Sequence, residues 1–353
     1  MMTNNKINNA TITNPWENSI LGPMNSRIVM SAMTRSAAPN NIPTSKMAEY
    51  YSRRAKHGVG LIITESTATS STADGFPNAP RIITDGQITG WKKVTDAVHK
   101  DGGIIFCQLN HCGRISHTDY TDGQQPVSAT DQRARGINKR NNQPYSKPKR
   151  LSQLELKDVI NEFRTAANKC MLAGFDGVEL HMAHGYLLDQ FLDSRVNDRN
   201  DEYGGAIEGR CRFPLELASV ILEELGENKV MVRISPSRWM GGVYDWPDLD
   251  EMLEYLLPNL DKIGLRMLDI SCANANYFDT SGRIIRKARP LWPHLLLGGA
   301  SLSKDDAQNE VNQGLVDLVT YGRLLISNPD LVQKFRAHST LDEYHPNMLD
   351  RLE

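Results

Sequence analysis

The chain of 353 residues predicts an α/β fold, a single (β/α)8 TIM barrel spanning residues 1–353. Three observations point to it. Short apolar runs alternate with longer runs of helical period, the pattern of parallel strands joined by helices. Eight such strands with helical runs between them suit a closed barrel better than an open doubly wound sheet. The GxGxxG fingerprint that follows the first strand of a dinucleotide-binding unit is absent.

In chain order, residues 10–22 predict a cap beneath the barrel, and Arg27–Ala32, Val59–Glu65 and Gly103–Leu109 are the first three strands. Residues 112–150 follow as a long insertion rich in Asn, Gln, Arg and Pro, a length that favours a functional loop. The remaining strands are Phe175–His181, Lys229–Ser235, Arg266–Ser271, His294–Gly298 and Asp317–Gly322. Apolar residues at helical spacing place helices at Thr44–His57, Gly86–Asp101, Ser152–Ala173, Gly209–Leu225, Asp248–Ile263 and Ser303–Gly314, with a shorter one at Arg283–Arg289.

Composition narrows the function classes. A net charge of −2 argues against nucleic acid or an anionic membrane as partner. No apolar run reaches the ~18 residues of a membrane span, and the polar start lacks the apolar core of a signal peptide. Five cysteines without CxxC spacing suit a reduced, cytoplasmic protein rather than a disulfide framework or an iron–sulfur site. Monomer and homo-oligomer both stay open.

The densest chemistry lies in Gly174–Phe213. With period two, Glu179 and His181 share the inward face of strand four, and His184 and Tyr186 follow in the turn. Two imidazoles can donate two N–H bonds to one oxygen, and a phenol can donate a proton. The same spacing is open to a metal half-site or a pair of structural histidines; zinc, however, usually needs a third protein ligand, and HExxH is absent, so no metal is expected. Barrel enzymes draw functional residues from several strand C-termini, and polar groups recur there. Strand one ends in Ser31-Ala32-Met33-Thr34-Arg35, strand three in Gln108, and strand five carries Arg233 on its inward face. Buried charge calls for a partner, and Glu179 and Glu65 are candidates within the protein. Strands seven and eight end in Gly298-Gly299-Ala300 and Gly322-Arg323, at the usual barrel phosphate site.

The run GFDGVELHMAHGYLLDQF followed by NDRNDEYGGAIEGR closely resembles the signature of the Old Yellow Enzyme family of FMN-dependent ene-reductases, with Ala206 where Ser is usual and Gly209 where Asn is usual. Asn25–Arg35, Gln108–Arg114 and Asp317–Phe335 resemble further family segments, so the likeness covers most of residues 14–335. It implies tightly bound FMN, NADPH or NADH as transient reductant, and an enone as small-molecule substrate. It places Ala32, Met33 and Thr34 beside the flavin, with Thr34 on its O4 edge. Gln108 would meet the pyrimidine edge and Arg233 the N1/O2 side. The phosphate would sit against the Gly298-Gly299-Ala300 and Gly322-Arg323 turns. His181 and His184 would hold the substrate carbonyl, and Tyr186 would protonate its α-carbon. Departures touch the substrate side. Asn110 replaces a pocket Trp, Ser31-Ala32 replaces Ala-Pro, Phe76 stands where Tyr is frequent, and the chain ends without the GYTDYP-like tail. The other classes are a phosphate-binding barrel enzyme such as an aldolase, for which no strand-end Lys is present, and a flavin-binding protein without turnover.

Overall fold

The computed structural model describes residues 11–272 and 275–353; Ala10, the first residue of the expected cap, lies outside them. Eight parallel strands close on themselves: β1 Ile28–Met30, β2 Leu61–Ile63, β3 Ile104–Asn110, β4 Gly177–Met182, β5 Val230–Ile234, β6 Met267–Ile270, β7 Leu295–Ala300 and β8 Leu318–Tyr321. Each pairs with the next, and β8 returns to β1 through Val319↔Ile28 to Tyr321↔Met30. The predicted TIM barrel is therefore the fold.

Helices α1 Ser45–Lys56, α2 Asp85–Lys100, α3 Gln153–Leu172, α4 Leu187–Leu192, α5 Ile207–Leu225, α6 Leu249–Lys262, α7 Ser281–Ala288 and α8 Lys304–Asn312 occupy the outside, followed by α9 Arg323–Ser327 and α10 Leu331–Ala337. Their starts follow local chemistry. Thr44 and Ser303 accept N–H bonds from the first turns of α1 and α8, while Thr84 and Ser152 form capping boxes with Gln87 and Glu155. Several predicted helices counted these caps as helical, hence the one-residue differences. The strands run shorter than expected at β2 and longer at β7, where Gly299 and Ala300 pair with Thr320 and Tyr321.

Period-two alternation explains why one end of the barrel carries chemistry. The lower inner face is apolar: Val29, Leu61, Ile63, Phe106, Met231, Met267, Leu297 and Leu318 form one buried cluster. Two residues further along the same strands, the inner face turns polar, from Phe106 to Gln108, Met231 to Arg233 and Met267 to Asp269. Glycine is obligatory at Gly177, where a Cβ would sit 2.5 Å from the Phe106 ring. At the lower end, the antiparallel pair Trp16–Asn18 and Gly22–Met24 lays Trp16, Ile20, Leu21 and Met24 on this cluster. The larger hydrophobic core lies between strands and helices. Among the described residues no helix is long and apolar enough to cross a membrane.

The insertion after β3 is not structureless. Val127–Ser128 pairs with Lys149–Arg150, and Ile137–Asn138 with Gln143–Pro144 as a small hairpin. The hairpin turn is set locally: Asn138 Oδ1 accepts the Arg140 N–H at 3.1 Å, and Asn142 adopts φ 55°.

Candidate active site

At the C-terminal ends of the strands lies a cavity of about 310 Å³ with an adjoining one of about 110 Å³. Ala32, Met33, Arg233 and Arg323 line both; Thr34, Gln108, Phe76, His181, His184 and Tyr186 line the larger, and Gly322 the smaller. A larger cleft of about 610 Å³ lies outside the barrel, beside α1 and the C-terminal segment, and none of the expected site residues lines it.

His181 ends β4, and the turn after it is pinned from several sides. His184 takes φ 58° while its N–H donates to Ser235 Oγ at 2.7 Å. The Gly185 N–H donates to Asp189, and Gln190 Nε2 donates to the Gly185 carbonyl, both at 2.6 Å. Asp189 in turn accepts from Arg238 and, at 2.9 Å, from Trp246. This framework sets the His181 ring 5.2 Å from His184 and 5.1 Å from Tyr186, centroid to centroid. Burial, then the nearby Arg233 charge, pushes both imidazole pKa values well below 6.5, so both rings are neutral at pH 7. His181 Nδ1 and His184 Nε2 are buried without a hydrogen-bond partner. Tyr186, half-buried against Phe76 and Cys112, has its phenol pKa raised by burial and keeps its proton. The HxxH pair gathers no third ligand: no group of three or more His, Cys, Asp or Glu suited to a metal occurs among the described residues.

Beneath this trio lies a charge cluster that follows from strand register. His181, Arg233 and Asp269 occupy adjacent positions on β4, β5 and β6, and Gln108 neighbours Glu179. Arg233 Nε donates to Ser271 Oγ at 2.7 Å and lies 3.3 Å from Asp269, while Gln108 Nε2 donates to Glu179 at 2.6 Å. Its carboxylate partner is thus Asp269, a buried acid in an apolar strand that the sequence reading passed over; the register would have found it. Burial drives the Glu179 and Asp269 carboxyls upward, so this acid pair retains a proton beside one guanidinium. Glu65, buried at the end of β2, accepts the N–H groups of Arg35 and Ser36 at 2.9 and 3.0 Å, which fixes the turn carrying Thr34.

Other expected residues stand outside the lining of these two cavities. Gly298 and Gly299 are required by packing: added Cβ atoms would lie 2.3 Å from the Ile285 side chain and 2.0 Å from the Thr320 carbonyl oxygen. Neither lines the two cavities, and the Ala300 backbone belongs to β7. Asn110 is buried outside the cavity lining, its amide 3.3 Å from Cys112 Sγ. Residues brought in from far along the chain complete the wall: Ser66, Arg140, Ile326, Tyr344 and Leu349. The C-terminal segment reaches the site although it departs from the family tail. Tyr344 lies 5.7 Å from the Arg323 guanidinium, and Arg35 donates to the carbonyls of Met348, Leu349 and Arg351.

These residues fit FMN. Two guanidinia, Arg233 and Arg323, line both cavities, Arg233 among strand-end polar groups and Arg323 with Gly322 in the smaller one, which supplies positive charge for an electron-rich ring and for a phosphate.

Comparison with known proteins agrees. The model of the NADH:flavin oxidoreductase / NADH oxidase family matches residues 21–342. 12-Oxophytodienoate reductase 7 of Oryza sativa subsp. japonica is 37% identical over 345 residues, covering 91% of this chain and 86% of that protein. 12-Oxophytodienoate reductase 2 of Arabidopsis thaliana is 36% identical, with 90% and 87% covered. Among solved structures, an old yellow enzyme homologue from Zymomonas mobilis superposes with a TM-score of 0.90 at 30% identity, covering 96% of each chain. Morphinone reductase superposes with a TM-score of 0.88 at 33% identity, covering 98% and 94%. The chain therefore belongs to the NADH:flavin oxidoreductase / NADH oxidase family, and is an FMN-dependent oxidoreductase of the old yellow enzyme type that takes electrons from a nicotinamide.

Proposed function

We propose that this protein reduces the activated C=C bond of α,β-unsaturated carbonyl compounds, and of nitro-activated alkenes, by a ping-pong cycle driven by NADPH or NADH. The observation that carries the reading is the neutral His181–His184 pair with orphaned ring nitrogens, set 5.1 Å from a protonated Tyr186. The relatives are reductases named for 12-oxophytodienoate and morphinone, which supports a carbonyl-bearing substrate.

Bound FMN supplies two-electron hydride chemistry between nicotinamide and substrate; Thr34, Gln108 and Arg233 would meet its ring, and Arg323 with Gly322 its phosphate. His181 and His184 each donate one N–H to the substrate carbonyl oxygen, orienting the alkene. Because both imidazoles are neutral, they stabilise negative charge as it grows on that oxygen without giving up a proton. Tyr186 then transfers its phenolic proton to the α-carbon. Arg233 keeps the histidines from protonating and offers positive charge where the reduced ring is electron-rich. Phe76 and Tyr186 wall the cavity, their rings 6.4 Å apart.

A simple phenol, whose oxygen imitates the enolate, tests the pair. The double variant His181→Ala/His184→Ala should retain FMN and lose at least about 100-fold in phenol affinity, as two charge-assisted hydrogen bonds of roughly 1.5–3 kcal/mol each are removed. Undiminished phenol affinity would remove the basis of the reading.

A further inference from the structure

We propose that Arg140 is a specificity-determining residue that binds a carboxylate on the substrate, so that acidic enones are preferred over their neutral counterparts. The inference rests on the enone-reductase reading and names the substrate class of that site.

Three guanidinia line the 310 Å³ cavity, from Arg140, Arg233 and Arg323, and no carboxylate does. Two are accounted for: Arg233 is paired with Asp269, and Arg323, beside Gly322 and Tyr344, would meet the flavin phosphate. Arg140 is not. Its guanidinium carbon lies 3.4 Å from the centroid of the Phe76 ring, on the cavity wall that Tyr186 shares, yet it forms no ion pair among the described residues. Stacking on an aromatic face leaves the edge of the fork, with its N–H donors, free for a planar anion. The position is built, because the hairpin turn bonds the Arg140 backbone to Asn138 at 3.1 Å.

The surrounding insertion points the same way. Residues 131–150 contain seven Lys or Arg and one Asp, in a chain whose net charge is −2. Lys149 and Arg150 are paired with Glu155, Asp131 and Asp198, and Arg140 is the member of this segment that lines the cavity, where a positive charge without a facing acid raises the local concentration of anionic ligands. Arg140 stacks on Phe76, whose ring lies 6.4 Å from that of Tyr186, so a carboxylate held there belongs to the molecule whose carbonyl the histidines hold. Its fork would grip the acid bidentately while the carbonyl oxygen stays on the histidine pair.

The test compares 4-hydroxybenzoate with its methyl ester on the holoenzyme, by perturbation of the flavin absorption spectrum. Both present a phenol oxygen to the histidines, and only one presents an anion to Arg140. The acid should bind about tenfold tighter, and Arg140→Gln should collapse the acid-to-ester ratio to about one, with Arg140→Lys partly restoring it. A ratio cancels any general loosening of the pocket. An unchanged ratio in Arg140→Gln overturns the inference, as does a variant whose only defect is slower reduction by the nicotinamide, which would assign Arg140 to the dinucleotide phosphates. If neither phenol perturbs the flavin, the histidine-pair reading itself has failed and the inference falls with it. Binding of the ester with no advantage for the acid refutes the inference alone.

Discussion

Tyr186→Phe removes one hydroxyl and little else. The ring contacts to His181 at 5.1 Å and Phe76 at 6.4 Å do not involve the oxygen, so the pocket keeps its shape. What is lost is the phenol whose ring packs against His181, and general-acid loss typically slows a step by ~10²–10⁴. Tyr186 is half-buried on the cavity wall and not sealed in the core. That places the expected loss in the lower half of the range, about 10²–10³-fold, or about 3–4 kcal/mol of activation free energy. Anaerobic rapid mixing separates the two half-reactions. Flavin reduction by nicotinamide needs no proton from Tyr186 and should change less than about threefold, whereas reoxidation by an enone should fall by the full factor. Equal slowing of both halves would refute the assignment, because a distorted pocket, and not a missing proton, would then explain the loss.

Two further outcomes follow from the barrel itself. Gly299→Ala places a methyl group 2.0 Å from the Thr320 carbonyl oxygen, so β7 and β8 must part; the variant should lose about 2–3 kcal/mol in urea unfolding and release FMN more readily, and wild-type stability would contradict the packing argument. Glu65, pushed up from 4.5 to about 7 chiefly by burial, binds its proton more tightly folded than unfolded. Its contribution is therefore full below pH 4.5, declines as pH rises, and is lost above about 7. At about 1.4 kcal/mol for each pH unit, that decline amounts to about 3 kcal/mol. Glu65→Gln should flatten it across that window, as read from unfolding midpoints at pH 5 and 8; parallel pH profiles for the two proteins would refute it.

What the sequence displayed and what it hid divide along physical lines. Strands, helices and the strand-end polar groups were legible because they repeat with fixed period, and Arg233 on its inward face followed from counting by two. Asp269 obeys the same rule and went unread, masked by the apolar letters around it. The glycines after Leu297 were read as room for a phosphate; Ile285 and Thr320, packed against Gly298 and Gly299, add a separate demand for glycine that the letters alone do not report. Local pattern does not report a neighbour more than a dozen residues away. Arg140, Tyr344 and Leu349 illustrate the remaining limit: loops with no periodicity bring them to the cavity, and only the folded chain shows where they end.

The most direct measurement is anaerobic turnover of the purified holoenzyme with a nicotinamide and 2-cyclohexenone, with the products identified by mass spectrometry. One saturated ketone formed per nicotinamide oxidised is the predicted result. Enone recovered unchanged, with nicotinamide consumed only when oxygen is admitted, would contradict the proposed reaction and leave a flavin oxidoreductase whose histidine pair serves another acceptor.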